Sequence, residues 1–368
     1  MATYNVISTD CHINEAPGTY EKRLPEKWWD LIPQTKTFGL NAVAGRAPKD
    51  FQFGGIPFDE ILPGNYDGAA HLADMELDGC DASVIYPLAA TLGYASDDRE
   101  FGLALIRAYN DWLYEEFCAP DPDRIIGLPC LPVEDGMDVT LAELERNLAR
   151  GARGVFLPGL PLTPYHDPYY EPLWSAVEQA DVCVNVHRTH GGKGLAVGEH
   201  TTARRDAAGH IVTDDADILA GTVHRFFSHV RPLSNMMISG VFDRHPNLKW
   251  VSAEVNFGWV PFWIQMVEQA VDKQGQGFGI ALERRPKEYL GTNIFMSVLD
   301  DHVGFEYIRE DEAHYGGAAM WSTDYPHSVT TWPNSKQLTE QLTAGMSADT
   351  KHNILAGNAV RVYNLPVS

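Results

Sequence analysis

The sequence predicts a single (β/α)8 barrel over residues 1–368, with inserted active-site loops and a C-terminal closing helix. Short apolar runs rich in β-branched residues alternate with longer segments whose apolar residues recur at helical spacing. This alternation is typical of parallel strands joined by helices. With 44% hydrophobic residues in a chain of 368, one large core can be buried. Eight strands at this length favour a closed barrel over an open sheet.

The eight predicted strands lie at residues 5–9, 82–87, 125–132, 154–158, 182–187, 249–255, 294–298 and 318–322. Helical spacing of apolar residues is clearest at residues 140–150, 172–180 and 261–273, and residues 351–365 are predicted to form the closing helix. Two long stretches, residues 17–62 and 191–215, fall outside the repeat and follow strands that end in candidate ligands. Loops in that position are typical of active-site walls or lids, although contacts between subunits are an alternative.

The composition limits the partners of the chain. Its 50 acidic and 28 basic residues give a formal charge of −22, which repels phosphate backbones and anionic membranes. We therefore expect a small-molecule substrate, and neither nucleic acid nor a membrane. The N-terminus lacks a secretory signal and no apolar stretch reaches bilayer length, which predicts a cytoplasmic protein. Five cysteines without a C-x-x-C pair predict reduced, mostly buried thiols.

Ligand-type side chains end four of the predicted strands. Asp10 and His12 flank Cys11 in the first strand, and because side chains alternate, both ligands share the inward face while Cys11 points away. Three further strands end in such residues: His187, Glu254 and Asp324. Burying these groups costs several kcal/mol unless a cation or a partner compensates, so a shared divalent metal is the economical explanation.

Four motifs carry a resemblance to a known family: Asp10-x-His12-x-x-Glu15, the run Ser-Gly-Val-Phe-Asp-Arg-His-Pro-Asn-Leu-Lys at 239–249, Ser322-Thr-Asp-Tyr-Pro-His327, and the closing segment 353–365. Over nearly the whole chain, the sequence resembles the amidohydrolase-related enzymes of the aminocarboxymuconate-semialdehyde decarboxylase type. The resemblance implies a barrel whose metal ligands are Asp10, His12, His187 and Asp324, with Asp324 also a proton-transfer group.

Two departures from the family pattern bear on the reaction. Where mononuclear members carry a catalytic histidine after the sixth strand, this chain has Glu254. The fourth strand also lacks the lysine whose carbamate bridges two metals in many dinuclear members. A second metal would need another bridge, which Glu15 or Glu254 could supply, and the histidines available to complete its coordination are His190, His224 and His229. For Glu15, a salt bridge across the barrel mouth is an equal alternative.

The ligand set contains no thiolate and suits iron or manganese, with zinc as the alternative. It is similar to the dinuclear Mn/Fe or di-iron oxygenases of the superfamily, such as the 2-aminoisobutyrate hydroxylases. That resemblance implies two metals per chain, held by Asp10, His12, Glu15, His187, His229 and Asp324. The enzyme would then be an O2-activating monooxygenase that hydroxylates a small amine or amino acid, with Arg188 neutralising a substrate carboxylate.

The alternative function is that of a mononuclear metal-dependent hydrolase or decarboxylase of a small carboxylate or amide substrate. In that case Asp324 or Glu254 moves the proton. A third reading is a catalytically silent subunit that stabilises an active paralogue, but the intact ligands argue against it.

Aromatic and proline-rich segments at residues 20–53 and 259–263 predict at least a dimer. The partner is either a second copy or a paralogous subunit. The alternative is that these segments fold back on their own barrel.

Overall fold

The protein forms a closed barrel of eight parallel strands, seen in a computed structural model that describes residues 4–32, 37–38, 56–57, 60–188, 191–193, 207, 215–327 and 329–367. The barrel strands, labelled β1 to β8, are Ile7–His12, Ala82–Tyr86, Ile125–Gly127, Gly154–Leu157, Cys183–His187, Trp250–Ala253, Ile294–Val298 and Ala319–Trp321. A separate antiparallel pair joins Thr37–Phe38 to Ile56–Pro57. The predicted fold class is confirmed, and each predicted strand overlaps an observed one.

Two sets of strands are hydrogen-bonded, β1 to β3 and β4 to β8, and two junctions close them into a barrel. At one junction Cys11 bridges to Tyr325, where His12 N–H donates to Tyr325 O at 2.7 Å. At the other, Cys130 bridges to Phe156, whose N–H donates to Pro129 O at 2.9 Å. The predicted third strand, residues 125–132, therefore pairs regularly only as far as Gly127 but continues to seal the barrel through Cys130.

Helices connect the strands and surround them. The α-helices, α1 to α14, are Gly68–Asp78, Leu92–Ala95, Arg99–Trp112, Met137–Leu148, Glu171–Gln179, Asp215–Arg225, Val230–Ile238, Val241–Arg244, Val260–Gln274, His302–Glu310, Glu312–Tyr315, Ser335–Leu342, Ala348–His352 and Asn358–Val362. Short 3-10 helices occupy Glu26–Leu31, Pro63–Asn65, Ala89–Thr91, Pro168–Tyr170, Gly275–Phe278 and Pro286–Tyr289, and π-helical turns occupy Leu113–Phe117 and Asn353–Gly357. The predicted closing helix is thus α13 and α14 joined by a π turn.

Strand alternation divides the core into two layers. Residues on one face pack with the other strands and the N-terminal helices, as do Phe156, Val251, Phe295 and Met320. Their sequence neighbours pack outward against the helices, as do Val155, Trp250, Ile294 and Trp321. Fully burying one such side chain contributes about 2 kcal/mol to folding. A shift of one residue would expose these side chains, so the alternating pattern fixes which residues face into the barrel.

The predicted loops are only partly within the described residues. Residues 33–36, 39–55, 58–59, 189–190, 194–206 and 208–214 lie outside them, so the expectation that these loops wall the site remains a prediction. Within the first loop, the 3-10 helix Glu26–Leu31 buries Trp28 and leaves Trp29 42% exposed. Among the described helices, none is long and apolar enough to span a bilayer.

Candidate metal centre

The site is built at the carboxyl ends of β1, β5 and β8. The side chains of Asp10 and His12 point from the same face of β1, and both are buried. Cys11 points the other way from its neighbours Asp10 and His12, as alternation predicts. Its Sγ lies 3.2 Å from Ser8 Oγ and 3.5 Å from Thr323 Oγ1, because the strand is irregular between Ser8 and Cys11. The thiol therefore lies outside the site although it stands between two candidate ligands.

Asp324 reaches the site through an unusual backbone conformation after β8. Its φ of 51° lies in the left-handed region, which costs a non-glycine residue roughly 1 kcal/mol or more. Asp324 N–H donates to Asp10 O at 3.0 Å, which holds the turn against β1. The strained turn directs the carboxylate toward His12, so the strain serves the arrangement of the site.

The polar atoms of these side chains lie close together. His12 Nε2 is 3.2 Å from Asp10 Oδ1 and 3.3 Å from Asp324 Oδ1, and His187 Nε2 is 3.8 Å from Asp10 Oδ1. Among the described residues, two groups could each hold a cation, with donor atoms within 4.8 Å of one another: Asp10, His12 and His187, and His12, Glu254, Asp324 and His327. Because both groups include His12, they form one contiguous site.

Several atoms of this site are buried without satisfied hydrogen bonding. Within the part of the chain that the structure describes, neither carboxylate oxygen of Asp10 or Asp324 accepts a hydrogen bond of acceptable geometry. Neither imidazole nitrogen of His12 forms one either. Buried charged groups in this condition are costly unless a cation compensates, and carboxylate oxygens with imidazole nitrogens suit Mn²⁺, Fe²⁺ or Zn²⁺. The residues therefore fit a divalent cation.

The pKa values of the cluster reflect the same crowding. Burial raises the pKa of Asp10. Burial acts to lower the pKa of His12, but its contacts with Asp10 and Asp324 outweigh this and raise it to about 9. For Asp324, burial acts to raise the pKa, but His327 and His12 hold it well below its usual range. Without a cation, His12 would thus carry a proton between two carboxylates, and a metal would replace that proton.

Arg188 and Glu254 form an ion pair at the edge of the site. They follow β5 and β6, and both adopt positive φ, 32° for Arg188 and 54° for Glu254. The guanidinium contacts the Glu254 carboxylate through both Nε and Nη2. Glu254 Oε2 also lies 3.1 Å from His187 Nε2. The sixth strand, predicted to reach residue 255, ends at Ala253 because the chain turns sharply at Glu254.

The structure does not bring Glu15 and His229 into either cation-binding group. Glu15 is buried and accepts a hydrogen bond from Tyr20 Oη at 2.7 Å, and burial raises its pKa to about 7. His229 Nδ1 is 2.7 Å from Ser252 Oγ, on the outward face of β6, and burial lowers its pKa to about 4. Among the described residues, Glu15 and His229 therefore do not form a second cation-binding group, because both side chains have other contacts. His224 is exposed, and His190 lies outside the described residues.

His327 lies within the site, although the sequence analysis assigns it no role beyond its place in a motif. Its Nδ1 lies 2.9 Å from Asp324 Oδ1, and its ring stacks on that of His12 with centroids 4.0 Å apart. His327 N–H donates to Asp324 O at 2.8 Å, which closes the turn that carries both residues. The spacing of three residues from Asp324 was the available signal, but its meaning depends on the fold of this turn.

Comparison with known proteins gives a family and a set of relatives. The amidohydrolase family matches residues 10–365. Gamma-resorcylate decarboxylase from Rhodococcus jostii is 26% identical over 319 residues, 80% of this chain and 85% of that one. The 2-amino-3-carboxymuconate-6-semialdehyde decarboxylase of Dictyostelium discoideum is 23% identical over 321 residues, 84% of this chain and 79% of that one.

Solved structures share the fold over the whole chain. That of 5-carboxyvanillate decarboxylase from Sphingomonas paucimobilis has a TM-score of 0.68 and 21% identity, covering 99% of this chain and 100% of that one. A dihydroxybenzoic acid decarboxylase from Polaromonas sp., with bound manganese and the inhibitor 2-nitroresorcinol, has a TM-score of 0.66 and 17% identity, covering 100% of this chain and 98% of that one.

Proposed function

The chain belongs to the amidohydrolase family, and on that premise we propose that it is a metal-dependent decarboxylase of a small aromatic carboxylate. The observation that supports this most directly is the buried cluster of Asp10, His12, His187 and Asp324, whose carboxylate oxygens have the character of cation ligands. The curated relatives with similar sequences are decarboxylases, and they match most of their own length and of this chain.

In this proposal Asp10, His12, His187 and Asp324 would hold one divalent cation. When bound, the cation would supply a Lewis acid that binds and orients the oxygens of the substrate. The reaction breaks the bond between the ring carbon and the carboxylate, releases CO2, and leaves the electron pair on the ring carbon, which takes up a proton. In this proposal Asp324 and His327, whose Oδ1 and Nδ1 are 2.9 Å apart, would pass that proton.

The expectation of an O2-activating monooxygenase is not supported. Its distinguishing residues, Glu15 and His229, contact Tyr20 and Ser252, outside both cation-binding groups of the described residues. The relatives reported above act as decarboxylases, which need no O2. The alternative expected from the sequence, a mononuclear hydrolase or decarboxylase, is better supported, and of its two reactions we adopt decarboxylation.

The test is metal reconstitution followed by a decarboxylation assay. The purified protein is stripped with a chelator, loaded with Mn²⁺, Fe²⁺ or Zn²⁺, and incubated with γ-resorcylate and with 5-carboxyvanillate under air and under nitrogen. We expect one metal equivalent per chain and release of CO2 that is equal in both atmospheres. Two equivalents of metal with O2 uptake would contradict the proposal, as would no CO2 release with any of these acids.

Metal stoichiometry in two variants separates the mononuclear from the dinuclear site. Because Glu15 and His229 have other contacts, Glu15→Ala and His229→Ala should each retain the full metal content of the parent. Elemental analysis that finds half the metal in either variant would restore the dinuclear assignment.

A further inference from the structure

Arg188 and Glu254 occupy equivalent places on two neighbouring strands. In the barrel His187 of β5 is the register partner of Ala253 of β6, so the residue after each strand end lies next to the other. Both residues adopt the left-handed backbone conformation that L-residues rarely take. The two turns therefore present their side chains to each other at the barrel mouth.

The pair they form brings a guanidinium against a carboxylate. Two guanidinium nitrogens contact two oxygens of the same carboxylate, the fork arrangement that arginine forms with any carboxylate ligand. The side chains are only 12% and 5% exposed, so neither charge is left to water. Leaving a largely buried guanidinium without an anionic partner is costly, and here Glu254 is that partner.

Other contacts hold Arg188 in place and connect the pair to the metal centre. The guanidinium lies over the Phe226 ring, 5.4 Å from its centroid. His229, whose Nδ1 contacts Ser252, places its Nε2 3.4 Å from Arg188 O. On the other side, Glu254 Oε2 is 3.1 Å from His187 Nε2. The pair is thus fixed at its base, and its Glu254 belongs to one of the two candidate cation-binding groups.

We propose that Glu254 is the resting counter-ion of Arg188, and that the carboxylate of an acidic substrate displaces it on binding. This rests on the proposed function for its substrate class. Decarboxylation converts R–COO⁻ and a proton into R–H and CO2, so the product has no anion with which to hold Arg188. Glu254 then pairs with Arg188 again. The pair would favour binding of the acid and release of its product.

The proposal makes Glu254 a competitor of the substrate. Replacing Glu254 with glutamine removes the competing charge but keeps the size of the side chain and its hydrogen-bonding oxygen. The acid should then bind more tightly, whereas a neutral analogue should be little affected. If Glu254 were instead a metal ligand or part of the substrate pocket, the same change would weaken binding or release metal.

The experiment measures equilibrium binding of γ-resorcylate, benzoate and resorcinol to manganese-loaded protein by titration calorimetry. We expect Glu254→Gln to bind at least one of the two acids about tenfold more tightly and Arg188→Gln to bind it about tenfold more weakly, with resorcinol binding unchanged in both. The matched control is Asp123→Asn, which breaks a surface pair with Arg153 (2.9 Å) at the opposite end of the barrel. This control variant should bind the acids and resorcinol with the same affinities as the parent.

Metal content and thermal melting are recorded for each variant. Acid binding that is unchanged or weaker in Glu254→Gln overturns the proposal, as does loss of manganese from that variant or absence of binding of both acids to the parent and to Glu254→Gln. Release of CO2 is assayed separately. Tighter acid binding by Glu254→Gln without any CO2 release by the parent would support the exchange of counter-ions and reject the proposed function.

Discussion

At the scale of single residues, the candidate centre depends on how each side chain is aimed. Alternation of side chains along β1 is enough to place Asp10 and His12 on the same face of the strand, where both are buried. Asp324 needs more, because only its left-handed backbone brings it back toward His12. The cluster therefore depends on strand alternation, which can be read from the sequence, and on an irregular turn at Asp324, which cannot.

A first prediction concerns His187, which is placed by the end of a buried apolar strand. His187→Ala should lose bound metal and at least about 100-fold of the decarboxylase activity, since a direct ligand matters more than residues behind it. The barrel should stay folded by circular dichroism. The control is Cys11→Ser, which changes a buried side chain pointing away from the site and should keep its metal. Full metal content in His187→Ala would show that His187 is not a metal ligand.

A second prediction follows from Glu15, whose carboxyl is buried and has a pKa of about 7 against an ordinary value of 4.5. The folded state binds the proton more tightly than the unfolded state, so stability should fall as pH rises from about 4.5 to about 7 and stay lower above. Glu15→Gln, which keeps an acceptor for Tyr20, should match the parent at pH 4 and be more stable by roughly 3 kcal/mol at pH 8. Urea melts at both pH values measure this. A glutamine variant less stable at pH 8 would show that the charge of Glu15 is compensated.

At the scale of elements, helix α1 (Gly68–Asp78) fixes the segment that follows Asp324. Tyr325 Oη donates to Asp74 Oδ2 at 2.5 Å, and Trp332 Nε1 donates to Asp74 O at 2.9 Å. One turn later, Asp78 accepts from Ser335 N–H at 2.9 Å. The helix thus contacts the segment between β8 and α12 through Asp74 and Asp78.

The third prediction tests this contact. Asp74→Ala removes the acceptor for Tyr325 and should lower the free energy of unfolding by about 1–2 kcal/mol. Manganese affinity should fall about tenfold because the Asp324 turn is less firmly held. Asp74→Asn keeps an acceptor and should rescue most of both effects. Glu76→Ala on the same helix breaks only an exposed pair with Arg124 and should change stability by less than about 0.5 kcal/mol. Equal effects of the alanine and asparagine changes would contradict the role of this hydrogen bond.

At the scale of the whole molecule, the barrel was predictable because its signal is repeated eight times along the chain. Most of the strands carry a run of buried apolar residues, and β7 matches its predicted bounds. The site was only partly predictable. Asp10 and His12 follow from alternation, but the outward position of His229 depends on how the segment before α7 packs on β6. The pairing of Arg188 with Glu254 likewise depends on which strands are neighbours and on two left-handed turns.

Assembly remains a prediction at this scale. Of the aromatic segment 259–263, Trp263 is buried against its own barrel, whereas Phe262 is 67% exposed on α9. The first aromatic segment lies largely outside the described residues. We expect light scattering at micromolar concentration to find at least a dimer, and Phe262→Asp to weaken it if this face is buried between subunits. A monomeric parent protein would contradict the expectation.

The last prediction links the centre to the stability of the whole barrel. Burial raises the pKa of Asp10, so its charge is unfavourable in the folded protein unless a cation is bound. A ligand present at 100 times its dissociation constant stabilises the folded state by about 2.7 kcal/mol, so Mn²⁺ should raise the melting temperature of stripped protein by several degrees. Asp10→Asn should show the opposite combination: a stripped form at least as stable as the parent, with no response to Mn²⁺.

Calorimetric melts of both proteins with and without Mn²⁺ test this prediction, and Mg²⁺ at equal concentration controls for ionic strength. A variant that responds as the parent does would mean that the cation binds elsewhere, and a less stable stripped variant would mean that the Asp10 charge is compensated by protein groups alone.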